Sequence, residues 1–157
     1  MVNVTRTFTL KVPAERAWAL IRDFNAMPQW NDTVRSSRIE NGPADRVGCT
    51  RVLEFDDGGL WTHQLTGLSD EDRCLQYRIT ATPQPMPIPV WNYRARICVR
   101  SPLAGAEKAD AEEAVTCQVS WSAEFETSRE ADMQERAGQV FERGFSGLRA
   151  CLERIRN

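Results

Sequence analysis

Polar and apolar residues alternate over residues 3–12, give way to a spacing of three and four, and alternate again from about residue 33 to residue 126. The first alternating run predicts a strand. Pro13 then takes an early helical position, where its missing N–H is no loss, and AERAWALIRDF places Ala14, Ala17, Trp18 and Ile21 on one face of a short amphipathic helix. NAMPQWN predicts a second short helical turn ending in Trp30. The long alternating region divides into strands near residues 33–40, 48–55, 59–68, 73–81, 89–100 and 115–126, separated by NGPAD, DDGG, SDED, TPQPMPIP and an acidic, alanine-rich loop. Such connections make neighbouring strands antiparallel, because parallel pairs need long crossovers.

The alternation assigns one face of each strand to a core. Trp61, His63 and Leu65 share a face, as do Leu75, Tyr77 and Ile79, then Trp91, Tyr93, Ala95, Ile97 and Val99, then Val115, Cys117, Val119, Trp121, Ala123 and Phe125. Opposite them lie Thr62, Gln64, Gln76, Arg78, Arg94, Arg96, Gln118 and Ser120, as expected of a sheet covered on one side only. The cover is C-terminal. TSRE at 127–130 has the form of a capping box and predicts a helix running to about residue 156, with Ala137, Val140, Phe141, Gly144, Phe145, Leu148, Cys151, Leu152 and Ile155 as its apolar stripe. Gly144 and Gly147 fall inside it, where glycine costs about 1 kcal/mol relative to alanine. Either they are simply tolerated or they make room for a ligand or a close strand.

Composition narrows what such an α+β chain does. Its 157 residues, 41% hydrophobic, fit a single domain spanning 1–157. A net charge of −2, from 20 basic and 22 acidic side chains mixed along the chain, leaves no footprint for nucleic acid or an anionic membrane. MVNVTRTFTLKV reads as a strand and not as a signal peptide, and no stretch is apolar enough to span a bilayer, so a cytoplasmic protein, monomeric or homodimeric, is expected. The five cysteines are odd in number and lack CxxC spacing, which argues against a disulfide framework or a zinc site and for thiols acting as small hydrophobes.

Candidate chemistry comes from polar residues counted onto the apolar face. These are His63, Tyr77 and Tyr93, with Arg51 by counting back from Leu53 and Phe55, and Ser37 and Arg35 by counting back from Ile39. A buried polar group without a partner costs about 1–3 kcal/mol, so several of them imply mutual hydrogen bonds, water or a ligand. One helix on a curled sheet leaves room for a cavity. In a binding module, Arg35 anchors an acidic head group, His63 and Tyr93 hydrogen-bond a carbonyl or hydroxyl, and Phe24, Trp30, Leu53, Phe55, Trp61, Tyr77, Trp91, Trp121, Phe141, Gly144 and Phe145 surround an apolar body. In an enzyme, His63, the only histidine, is the acid/base. The sequence offers it no inward carboxylate, nucleophile elbow, phosphate loop or metal-ligand cluster, so no cofactor and no metal is expected.

The succession VPAERAWALIRDFNAMPQW, VGCTRVLEF, WTHQLTGLSDEDRCLQYRI, PVWNYRARICV and VSWSAEF resembles the helix-grip superfamily of START-like and birch-allergen-like proteins. Within it the chain is most similar to the bacterial polyketide cyclase/dehydrase-like branch, which is itself similar to the plant abscisic-acid receptors. The resemblance implies a seven-stranded curved antiparallel sheet wrapped around a long C-terminal helix, two short helices between the first two strands, and a hydrophobic ligand in the cavity between sheet and helix. A minority of members are enzymes. It places Arg35 where the receptors have a lysine for the ligand carboxylate, Tyr93 at their pocket tyrosine, Tyr77 at an aromatic wall position, Trp121 at an inward one and His63 at a glutamate. The receptor gate is replaced by a tight turn from Asp56 to Gly59 and the latch by PQPMPIPV, a candidate lid. Hormone-gated phosphatase inhibition is therefore not implied.

Overall fold

A computed structural model of the chain describes residues 1–101 and 116–154. Strand β1 (Val2–Leu10) leads into α1 (Ala14–Ile21) and α2 (Met27–Trp30), followed by β2 (Val34–Glu40), β3 (Thr50–Phe55), β4 (Leu60–Ser69), β5 (Cys74–Ala81), β6 (Val90–Arg100), β7 (Cys117–Thr127) and the long helix α3 (Glu130–Arg154). The seven strands form one antiparallel sheet in the order β1-β7-β6-β5-β4-β3-β2. This is the helix-grip architecture that the alternation and the terminal stripe anticipate. The acidic, alanine-rich loop, Val115 and Ile155 lie outside the described residues.

The apolar spacing is realised in packing. Ala14, Ala17, Trp18 and Ile21 are all buried, as are Leu75, Tyr77, Ala95, Ile97, Val99, Cys117, Val119, Trp121, Ala123 and Phe125. On the outer face Arg94 and Arg96 are exposed, Arg94 paired with Glu124 at 2.6 Å. Helix α3 covers chiefly β1 and β7 and touches α2. Its glycines set that approach. A Cβ on Gly144 would lie 2.7 Å from Trp121 Cζ3, and one on Gly147 would lie 1.9 Å from the Trp30 carbonyl oxygen. The two residues admit a tryptophan and a helix backbone, and neither faces open space.

Three expectations need correction. Helix α3 begins at Glu130, with the Arg129 carbonyl accepting from the Met133 N–H at 3.0 Å, so TSRE does not form a capping box. Thr127 still belongs to β7, and its hydroxyl accepts from the Arg129 N–H at 3.1 Å while Glu130 pairs with the N-terminal amine. Cys74 and Cys98 are joined by a disulfide, because the β5–β6 register sets them directly opposite with Cα atoms 4.2 Å apart, a proximity that sequence spacing cannot show. Cys49, Cys117 and Cys151 are free thiols.

Arg35 is the third. Val34 pairs with Phe55 and Ser36 with Glu54, so Arg35 is the extra residue of a β-bulge and the inward set runs Ile39, Ser37, Val34. Its side chain is exposed and donates to the Asp56 carbonyl at 2.9 Å. Ser37 does turn inward, and its enclosed hydroxyl has no partner among the described residues.

The closeness of α3 to α2 predicts the effect of a single methyl group. Gly147→Ala should destabilise the protein by about 2 kcal/mol in urea unfolding, the overpacking penalty exceeding the helix-propensity gain of about 1 kcal/mol. An unchanged or raised midpoint would show that α3 does not lie against the Trp30 carbonyl.

Candidate functional site

The C-terminal half of α3 is sealed against the sheet, where Phe141 stacks on Trp121 at 4.6 Å between ring centroids and Phe145 lies 3.6 Å from Phe8. Its N-terminal half stands over a cavity of about 520 Å³. Met133, Ala137 and Val140 face that space at helical spacing, with Arg136 beside them. Opposite stand Phe55 from β3, Trp61 and His63 from β4, Ile79 from β5, Tyr93 from β6 and Phe125 from β7. Met86, Ile88 and Val90 from the proline-rich connection complete the apolar wall. The rim holds the exposed residues Asp56, Asp57, Gln84, Trp91 and Asn92.

Five residues read from the sequence as ligand contacts meet here: Phe55, Trp61, His63, Trp91 and Tyr93. Trp91 is at the rim, 47% exposed, because the β6–β7 register shifts between Trp91 and Arg94 and Asn92 takes φ 52°, which ends the alternation that would bury it. Phe24, Trp30, Leu53, Tyr77, Trp121, Phe141, Gly144 and Phe145 do not reach the cavity wall and belong to the packed part of the core. Arg35 is not part of the cavity wall, its exposed guanidinium being engaged by the Asp56 carbonyl, and the guanidinium that does line the cavity is that of Arg136. Met133, Ala137 and Val140 were legible as a continuation of the helical stripe. Met86 and Ile88, isolated between prolines, carry no periodic signal.

At the buried end the chemistry turns on two residues set directly opposite each other on β3 and β4, Arg51 and His63. The Arg51 guanidinium is buried, with its Cζ 4.1 Å from the centre of the Phe24 ring and 5.0 Å from that of Tyr77. Nη1 donates to the Phe24 carbonyl at 3.1 Å, and Nε and Nη2 approach His63 Nδ1 at 3.2 and 3.1 Å. Arginine has no acceptor, so Nδ1 must accept and the imidazole proton must sit on Nε2. Burial first, and then the Arg51 charge, hold the His63 pKa well below 6.5. Burial lowers Arg51 itself only to about 10, so it remains a cation at neutral pH. His63 is thus a neutral Nε2–H tautomer, and Nε2, with no protein partner among the described residues, opens on the cavity.

Tyrosines stand next to it. The Tyr77 ring stacks on His63 at 4.7 Å, and its hydroxyl accepts from Trp121 Nε1 at 3.3 Å. Burial raises the phenols of Tyr77 and Tyr93, so each keeps its proton.

Over residues 1–155 the sequence matches the family described as polyketide cyclase / dehydrase and lipid transport. The chain belongs to that family. Among solved structures it is similar to the protein XoxI from Bacillus cereus, with a TM-score of 0.82 and 24% identity, covering 100% of this chain and 99% of that one. It is likewise similar to a START superfamily protein from Mycobacterium smegmatis (TM-score 0.74, 14% identity, 98% of each chain) and to the ginseng major latex-like protein 151 from Panax ginseng (0.71, 11%, 96% of each). These likenesses establish the fold. Among proteins of curated function none matches the sequence.

For this cyclase/dehydrase and lipid transport family member, the Arg51 contact occupies the nitrogen that His63 would need as a base. The nitrogen with a lone pair faces Arg51 and not the cavity, and a proton arriving there would meet a buried cation. What His63 offers the cavity is a hydrogen-bond donor.

A pH dependence follows. The folded pKa of His63 lies below the value of about 6.5 that the unfolded chain retains, so below that pH the unfolded chain binds a proton that the folded one does not. This group leaves stability level above about pH 7 and lowers it as pH falls from about 6.5 toward the depressed value, by up to about 1.4 kcal/mol per pH unit. Urea unfolding between about pH 8 and pH 5 should show that loss in the wild type and a flatter profile in His63→Gln, whose amide oxygen can still accept from Arg51. Equal slopes would contradict a neutral buried His63.

Proposed function

We propose that the chain binds a small hydrophobic ligand, lipid, aromatic or polyketide-like, in the cavity between the sheet and the N-terminal half of α3. The observation that carries this reading is the combination of about 520 Å³ of space, apolar walls on both sides and buried donors at its inner end. Pockets for small organic molecules have this size and make-up: a mostly apolar lining with a few placed polar groups. Family membership supports the same reading, since its description names both polyketide chemistry and lipid transport. No charged anchor for an acidic head group is part of the proposal.

The proline-rich connection fits the role of a lid. Met86 and Ile88 turn inward from a segment whose intervening prolines are exposed at Pro85 and Pro87, so an apolar inner surface is carried on a strand-to-strand loop at the mouth. Loops on a rigid scaffold are the usual place for such movable contacts.

N-phenyl-1-naphthylamine, a neutral dye that fluoresces in apolar surroundings, tests the proposal. The wild type should bind it, and Ala137→Trp, which fills the cavity from α3 without touching the sealed half of the helix, should weaken binding about tenfold or more, equivalent to about 1.4 kcal/mol. Absence of binding by the folded wild type, or equal binding by the variant, would overturn it.

A further inference from the structure

We infer that the cavity selects ligands that present a carbonyl oxygen, or the enolate oxygen derived from it, to His63 Nε2–H, and that Arg51 is the positioning residue that sets this selectivity. The inference rests on the binding function proposed above and names the chemical class that the site takes.

It begins from hydrogen-bond accounting. A neutral imidazole has one donor and one acceptor, and which nitrogen carries the proton is ordinarily free to change with the ligand. Here it is not free. Arg51 presents Nε and Nη2 to Nδ1, and neither can accept, so the alternative tautomer would place N–H against N–H in a buried site. His63 therefore meets a ligand as a donor only. Tyr93, another polar side chain on the sheet wall of the cavity, carries a hydroxyl that can donate to the same kind of ligand atom. A ligand atom that pairs with His63 must therefore accept. A ligand amine or ammonium group would find no lone pair on His63.

Charge favours one kind of acceptor. The Arg51 cation lies directly behind the imidazole, shielded from water by Phe24 and Tyr77, and no ion pair engages it among the described residues. Its field polarises the ring, so Nε2–H is a stronger donor than an ordinary imidazole and interacts best with oxygen bearing partial or full negative charge. A ketone, quinone-type carbonyl or enolate meets that condition, and a thioether or alkene does not.

The test uses 2-acetylnaphthalene and its near-isostere 2-isopropenylnaphthalene, which replaces the carbonyl oxygen by a methylene group. The wild type should bind the ketone about tenfold more tightly than the alkene, and His63→Phe should bind both with a ratio within about twofold. Because His63 is the only histidine, nitrogen-15 histidine labelling gives a single imidazole spectrum. In the wild type it should show the Nε2–H tautomer alone, with the Nε2 proton moving downfield on adding the ketone and not the alkene. Arg51→Met should release the Nδ1–H form, and Arg51→Lys, which restores a cationic donor, should suppress it again. Equal affinity of the wild type for the two probes, or an Nδ1–H spectrum, overturns the inference while leaving hydrophobic binding intact. If neither probe binds, the binding function itself fails. The wild-type measurements decide the matter even if a variant does not fold.

Discussion

A guanidinium removed from water loses several kcal/mol of hydration, and Arg51 recovers it from an imidazole nitrogen, one backbone carbonyl and two aromatic faces. Each of these partners belongs to a different part of the chain. Phe24 comes from the segment after α1, His63 from β4 and Tyr77 from β5, so the one side chain ties the α1–α2 connection to the middle of the sheet. Losing one of the hydrogen-bond partners would leave a buried cation short of compensation, at a cost of about 1.5–3 kcal/mol. The same contact fixes the protonation state of the imidazole and the direction in which it faces the cavity. Stability and the proposed recognition therefore share one interaction.

The cavity exists because α3 is held close to the sheet along only part of its length. Near its middle, Gly144 admits Trp121 and Gly147 admits the Trp30 carbonyl, so Phe141, Phe145 and Leu148 sink into the core. Toward the N-terminus Val140 is 56% exposed and Ala137 half-buried, with open space in place of sheet side chains. A side chain on either glycine would lift the helix and close the distinction between the two halves. The ligand space and the tight seal are two ends of one helix.

Much of this was legible in the residues, because period-two alternation over most of the chain and a heptad-like stripe at its end leave few arrangements that bury both faces. The inward placement of His63, Tyr77 and Arg51 follows from the same count. Where the count failed, a backbone irregularity intervened: a bulge turned Arg35 outward, and the shift at Asn92 brought Trp91 to the rim. Neither position is marked by glycine or proline, so the sequence carries no sign of it. The Cys74–Cys98 pairing depends on strand register, which short-range pattern does not specify. Tyr77 and Trp121 face inward as counted but stand behind the wall, since alternation gives a direction and not a depth. The resemblance to receptors that bind a ligand carboxylate carried the same weakness at Arg35, where the matched position does not point into the cavity.

In the proposed binding mode, this polyketide cyclase / dehydrase and lipid transport family member holds a hydrophobic ligand by a donor whose direction Arg51 dictates. The most direct measurement is a crystal structure of the protein with 2-acetylnaphthalene bound. The naphthalene should lie between Ile79, Phe125 and Ala137, with its carbonyl oxygen about 2.7–3.2 Å from His63 Nε2. A ligand lodged elsewhere, or one in the cavity with its carbonyl directed at the rim and His63 Nε2 left without an acceptor, would contradict it.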